Sequence, residues 1–162
     1  MARKIENRIQ KRRSVTLIGE GITEQYYFTH IRTLFGYRFT IKPYYFSVTS
    51  LVEMDKKIAE AIQDGGFAIA IFDADVASRF LLHYENTNRF FKDSAATEKA
   101  LRKYIPDYEK KEKFLQEMKW VSDLCADERL ELAKTRAEAF GHTGDSYSEI
   151  YRAFDFFKAM QG

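Results

Sequence analysis

Residues 67–72, Phe-Ala-Ile-Ala-Ile-Phe, form an unbroken apolar run that ends abruptly in Asp73-Ala74-Asp75. A strand with no polar alternation has no face to show to water, and such strands belong to parallel sheets covered by helices on both sides. Parallel neighbours must be joined by crossovers of a dozen or more residues, and the upstream chain has room for two. Val15–Ile18 reads as a short buried strand. Thr23 to about Phe35 then reads as a helix, capped by Thr23 and stopped at Gly36, with Tyr27, Ile31, Leu34 and Phe35 at helical spacing. Phe39–Val48 is rich in β-formers, but Pro43 removes a ladder donor and marks an edge or bulged strand. Ser50 caps a second helix, with Leu51, Met54, Ile58, Ala61 and Ile62 on one face and Asp64-Gly65-Gly66 at its end. Strand, helix, strand, helix, strand predicts an α/β fold with a parallel or mixed sheet.

Beyond Phe80 the periodicity is helical. Helices are expected over 94–104, 112–125 (Phe114, Met118, Val121, Cys125), 127–140 (Leu130, Ala133, Ala137, Phe140) and 146–160. The last opens on Ser146-x-x-Glu149, a capping-box pattern, and turns Ile150, Phe154 and Phe157 inward. The chain thus divides into a basic arm (1–13), an α/β core (14–78) and a helical region (79–162) packed on it. With 45% hydrophobic and 15% aromatic residues, 162 residues can bury a sizeable core, which argues against intrinsic disorder. The single cysteine, Cys125, excludes a disulfide framework and points to a reducing, cytoplasmic setting. It reads as a core thiol on an apolar stripe. No run approaches the ~18 apolar residues of a membrane span, and the N-terminus lacks the apolar segment of a signal peptide.

Net charge is +2, yet the arm alone carries Arg3, Lys4, Arg8, Lys11, Arg12 and Arg13 against Glu6. Arg12 and Arg13 could dock on nucleic-acid phosphates, or the arm could be a solvated terminus. Downstream, Lys110, Lys111 and Lys113 follow Tyr108. They could track a nucleic-acid backbone, with Tyr104 and Tyr108 stacking on bases, or begin a solvated helix. His83, in Leu81-Leu82-His83-Tyr84-Glu85, is either a satisfied, partly buried histidine or a phosphate contact. His30 and His142 carry no functional signal.

The acidic residues are more informative. Gly19-Glu20-Gly21-Ile22-Thr23-Glu24 places Glu20 directly after the first strand, while Asp73 and Asp75 follow the third. Ligands of open α/β sheets collect beyond the carboxyl ends of the strands. If these strands are neighbours, about 4.8 Å apart, the three carboxylates share one crevice. Such a group needs protons, a basic partner or a divalent cation, and all-oxygen ligands favour Mg²⁺ or Mn²⁺ over zinc. A dinucleotide fingerprint would need glycine where Glu24 stands, and a Walker loop would need a following Gly-Lys-Ser/Thr. The bland readings are that Glu20 and Glu24 serve a helix N-terminus and that Asp73 is a turn residue.

"VTLIGEGITEQYYF" followed by "FAIAIFDADV" resembles the Toprim domain of bacterial primases, topoisomerases, recombination proteins and OLD nucleases. The Gly-Glu-Gly-x-Thr-Glu turn followed by aromatics more narrowly resembles the RloB-like proteins of abortive-infection phage defence. "RFLLHYENTNRFF", "KYIPDYEKKEKF" and "SYSEIYRAF" also look like RloB segments, so the resemblance covers all but the basic arm. It implies a Toprim-like, mostly parallel sheet of three or four strands flanked by helices, followed by a helical C-terminal half. It also implies Mg²⁺- or Mn²⁺-dependent cleavage of DNA or RNA phosphodiesters beside an ABC-class ATPase partner. By this matching Glu20 is the general acid/base and a metal ligand, Asp73 and Asp75 hold the metal, and Glu24 is an auxiliary acid. His83, Lys110, Lys111, Arg12 and Arg13 are the candidate substrate contacts. The chain departs from the pattern after Asp75. RloB-like chains carry a further crossover and strand there, whereas only Val76-Ala77-Ser78-Arg79 intervene here, too few for either. The alternatives are a non-catalytic Toprim-like module that binds nucleic acid or a partner, and a phosphoryl or nucleotidyl transferase, which needs a nucleotide pocket the sequence does not reveal.

Overall fold

The computed structural model describes residues 14–19, 21–37, 40–41, 50–71, 94–140 and 150–161. Strand β1 (Ser14–Gly19) lies between β2 (Thr40–Ile41) and β3 (Phe67–Ile71), and both pairings are parallel. Helix α1 (Ile22–Leu34) joins β1 towards β2, and α2 (Leu51–Gln63) precedes β3. The C-terminal half is helical: α3 (Ser94–Leu101), α4 (Glu112–Leu115), α5 (Lys119–Cys125), α6 (Arg129–Phe140) and α7 (Ile150–Ala159). This is the mixed α/β arrangement expected, with parallel strands and flanking helices first and helices after. Among the described residues no helix is long and apolar enough to cross a membrane.

The two faces of the sheet are covered differently. Alternation along β1 sends Val15 and Leu17 to one side and Ile18 to the other. Val15 and Leu17 join a large core with Tyr27, Phe28 and Ile31 of α1 and with Leu101, Trp120, Leu124, Phe154 and Phe157 of the helical half. Among the described residues Ile18 clusters instead with Met54 and Ile58 of α2 and Ala68 of β3. Both halves of the chain therefore share one main core. The strand expected to be buried on both faces was β3, but the structure gives that environment to β1, where Val15–Gly19 are all buried. β3 has a strand on one side only among the described residues, and Phe67 is 36% exposed.

Helix ends follow the glycines. Gly36 (φ 62) and Gly65 (φ 73) take the left-handed conformation that side chains resist. At each the chain turns back with a paired set of bonds: Tyr37 N–H to Arg32 O (3.1 Å) with Gly36 N–H to Thr33 O (3.4 Å), and Gly66 N–H to Ala61 O (3.0 Å) with Gly65 N–H to Ile62 O (2.9 Å). Helix faces depart further from expectation. Met54 and Ala61 are buried, but Leu51 and Ile62, expected beside them, are 70% and 60% exposed. No described helix packs beside α2, so only the stripe touching the sheet is covered. Phe35 and Met118 are likewise exposed.

The helix expected over 112–125 is broken into α4 and α5 by tertiary hydrogen bonds. The carbonyl of Leu115, which a continuous helix would present to the amide of residue 119, accepts His30 Nε2–H at 2.8 Å and Trp120 Nε1–H at 3.1 Å. Tyr26 stacks on His30 and donates to Glu112 at 3.0 Å. One face of α1 thus clamps this break against the sheet domain. On α7, Ile150, Phe154 and Phe157 point inward as expected. The Ser146/Glu149 box and Pro43 lie outside the described residues.

Tyr27 is fully buried against Phe28, Trp120 and Phe154, and among the described residues its hydroxyl has no hydrogen-bond partner. Burial holds this phenol well above the ordinary tyrosine range. Removing an unsatisfied buried hydroxyl recovers its desolvation cost, so Tyr27→Phe is expected to stabilise the fold by about 1 kcal/mol. Thermal unfolding checks this, and a clear loss of stability would mean that the hydroxyl has a partner in solution.

Charged side chains link α6 to α7. Lys134 lies 2.8 Å from Asp155 and 3.5 Å from Glu131, which also accepts from Lys158 at 2.8 Å. The Lys158 hydrogen bond, with both lysine charges, holds the Glu131 carboxyl below its usual range. A carboxyl lowered on folding contributes stability above its unfolded value, ordinarily near 4.5. That contribution disappears as pH falls through the lower folded value. Glu131→Gln should therefore narrow the stability gap between pH 7 and pH 3, measured by denaturant titration at both.

Candidate functional site

The site suggested by the sequence depends on two strands ending together, and they do. Val15 to Gly19 pair in order with Phe67 to Ile71, so Gly19 stands opposite Ile71 at the carboxyl end of both strands. Backbones there are roughly 4.8 Å apart, the spacing of any ladder. In the sequence Glu20 follows Gly19 directly, and Asp73 and Asp75 follow Ile71 by two and four residues. Glu20, Asp73, Asp75, His83, Arg12 and Arg13 lie outside the described residues, as does the Val76–Arg79 connection.

From β1 the chain enters α1 almost at once. Gly21, not Thr23, is the N-cap, with φ 115 and ψ 131, a backbone region that disfavours a side chain. The helix begins two residues earlier than a threonine cap would allow because glycine alone makes this turn easily. Gln25 N–H to Gly21 O, at 3.4 Å, opens the helical ladder. Glu24 occupies the third helical position and is 0% exposed. An anion is electrostatically favoured at this end of a helix, but a fully buried carboxylate also needs compensation by hydrogen bonds or positive charge.

Thr23 is the group that sequence reasoning misplaced. Expected as the cap, it lies inside the helix, and among the described residues its buried hydroxyl has no hydrogen-bond partner. The signal that could have moved it inside the helix is Gly21, the better residue for the turn. Thr23 and Glu24 therefore bring two buried oxygen-bearing side chains to the start of α1, beside the end of β1. Their chemistry suits a hard divalent cation rather than zinc. A complete ligand set is not among the described residues, where no three His, Cys, Asp or Glu side chains form a metal-binding group.

The basic candidates lie in the helical half. Lys110 and Lys111 are exposed, and the Lys111 ammonium sits 3.0 Å from Glu109. The stacking platform proposed beside them does not exist as such. Tyr108 is only 3% exposed, edge-on to Phe114 and Trp120, and Tyr104 is half-buried with the Arg129 guanidinium 5.8 Å above its ring. The Tyr108 ring fills the core rather than facing solvent, and Tyr104 packs against that core from its edge. Cys125, expected as a buried core thiol, is partly buried against the main core, and burial pushes its thiol up to about 12.

Compared with models of protein families, with curated proteins and with solved structures, the chain gives no match.

Proposed function

We propose that this chain is a Mg²⁺-dependent nuclease with a Toprim-like, mostly parallel core, related to the RloB-like defence proteins and cleaving DNA or RNA phosphodiesters. The observation that supports it most is the parallel register of β1 and β3, with Gly19 opposite Ile71. It makes neighbours of the two strands whose following segments carry Glu20, Asp73 and Asp75. In this reading Asp73 and Asp75 hold the cation together with Glu20. Glu20 also moves the proton of the attacking water, and Glu24 supports the site from the first turn of α1. Mg²⁺ or Mn²⁺, when bound, supplies positive charge for the scissile phosphate. Toprim-like kinship and the defence role, with an ABC-class ATPase beside the nuclease, rest on the sequence resemblance.

Purified protein incubated with tRNA, single-stranded DNA and plasmid, with and without Mg²⁺ or Mn²⁺, tests the proposal. Cleavage is expected only with metal, and Glu20→Gln should lower it by at least ~10²–10⁴-fold, the usual worth of a positioned acid/base. Activity that survives this substitution belongs to a different site.

A second reading is a non-catalytic module that binds nucleic acid or a partner protein. It is favoured by the four residues between Asp75 and Phe80 and by β3 having one strand neighbour among the described residues. Thermal unfolding during Mn²⁺ titration separates the two. If Asp73→Ala and the unmodified chain respond identically, the metal-enzyme reading is lost and the module reading stands.

A further inference from the structure

Three residues, Ala126, Asp127 and Glu128, connect α5 to α6. Ala126 is extended (φ −64, ψ 160), and Asp127 and Glu128 then both adopt left-handed backbone, with φ 52 and φ 61. They are the only non-glycine residues with positive φ among those described. Each such residue is disfavoured by a factor of roughly 5 to 30 relative to right-handed helix. The sequence gives no local cause for the break. From Lys119 to Phe140 it contains no glycine or proline, and Ala126, Glu128, Arg129 and Leu130 are all good helix formers. The two strained side chains are exposed, so no packing around them enforces the turn.

What enforces it is packing further along. Leu130, Ala133 and Ala137 of α6 are buried in the main core, Phe154 of α7 lies against Tyr27, and Phe157 against Phe28 and Tyr37. Every one of those aromatic partners precedes the connection. Such contacts need the two surfaces, but they do not need both surfaces to come from one chain. If α5 and α6 ran on as a single helix, 22 residues would extend roughly 33 Å and carry α6 and α7 away from their own core. A second copy could receive them and return its own. Local contacts given up include the hydrogen bond from the Arg129 guanidinium to Asp123 O, 3.2 Å long, and the turn bond from Arg129 N–H to Ala126 O, 3.0 Å. In the continuous helix the Asp123 carbonyl accepts the amide of residue 127 instead.

We propose that this chain forms a dimer with a second copy of itself by exchanging residues 129–161 about the Ala126–Glu128 connection. A short hinge under strain is the recognised invitation to such exchange. The exchange remakes the core contacts between chains and releases two left-handed residues in each. Opposing it is the entropy of association, so the monomer dominates in dilute conditions and the dimer grows with concentration. The inference is independent of any chemistry at the strand ends.

The full chain, unfolded in denaturant and refolded over a range of protein concentrations, is examined by size-exclusion chromatography with light scattering. The dimer fraction should rise with refolding concentration and persist after dilution, because return to monomer requires α6 and α7 to leave the core. Asp127→Gly with Glu128→Gly removes the strain and weakens the continuous helix, and should lower the association constant at least about tenfold. Asp127→Ala with Glu128→Ala should raise it. If the alanine variant fails to fold, the glycine variant decides alone. A chain that stays monomeric at every concentration, a dimer that the glycine variant forms equally well, or a dimer that dissociates at once on dilution overturns the proposal.

Discussion

Trp120→Ala should cost about 3–5 kcal/mol, the range for deleting a fully packed large aromatic, and lower the midpoint of thermal unfolding by roughly 10 °C. Trp120 is 1% exposed and touches Tyr27 and His30 of α1 as well as Tyr108 of the helical half. Its indole N–H also ends the α4 helix by bonding Leu115 O. One side chain thus fills the shared core and fixes the break that turns α5 inward. Truncation leaves a cavity and frees half of the hydrogen-bonded junction. Against a total stability of ~5–15 kcal/mol for a domain of this size, the loss is large enough to leave part of the population unfolded. Trp120→Phe should recover most of the packing while still losing the N–H bond. Denaturant unfolding of both variants checks this, and a loss below about 1 kcal/mol for alanine would sink the idea that the ring joins the two halves.

Glu24→Gln is the second large effect, and it bears on function. The side chain is fully buried in the first turn of α1, beside the end of β1. Glutamine keeps nearly the same shape and oxygen acceptor but removes the charge. If the cation site proposed at the strand ends includes this carboxylate, Mn²⁺ affinity should fall about 10–100-fold, as when groups supporting a metal are altered. At saturating metal that is ~1.4–2.7 kcal/mol of ligand-linked stability, a shift of several degrees in the Mn²⁺-induced rise of the unfolding midpoint. An unchanged Mn²⁺ response in this variant, with the unmodified chain still stabilised, would assign Glu24 to the helix terminus alone.

The sequence revealed the elements whose cause is local. Gly36 and Gly65 stop their helices because the chain there needs positive φ, and each stop lies where the residue type places it. The strands at 15–18 and 67–71 were legible because short, largely apolar runs with a glycine at one end have few other uses. What the sequence concealed depends on distant partners. Nothing in Glu112–Cys125 says that Leu115 O will be taken by His30 from a helix some eighty residues earlier. Likewise, the exposure of Leu51 and Ile62 follows from the absence of a described helix beside α2, not from α2 itself. Tyr104 and Tyr108 look the same in a sequence whether they face a base or a core. For the candidate site, the strand adjacency that the shared crevice required is present, though the sequence posed it only as a condition, whereas Thr23 was misassigned because threonine and glycine compete for the same cap. The carboxylates named at positions 20, 73 and 75 lie outside the described residues, so their reading still rests on motif and strand adjacency.

The central place of β1 has a consequence for how the protein is made. Ser14–Gly19 is translated about fifty residues before its longer partner, Phe67–Ile71. At ~5–20 residues per second this is a delay of roughly 3–10 s. During it Val-Thr-Leu-Ile has no ladder with β3 and no covering from the helical half, whose Trp120 and Phe157 are still to be translated. Among the described strands β1 therefore waits longest for its partners, with its apolar side chains uncovered in that interval.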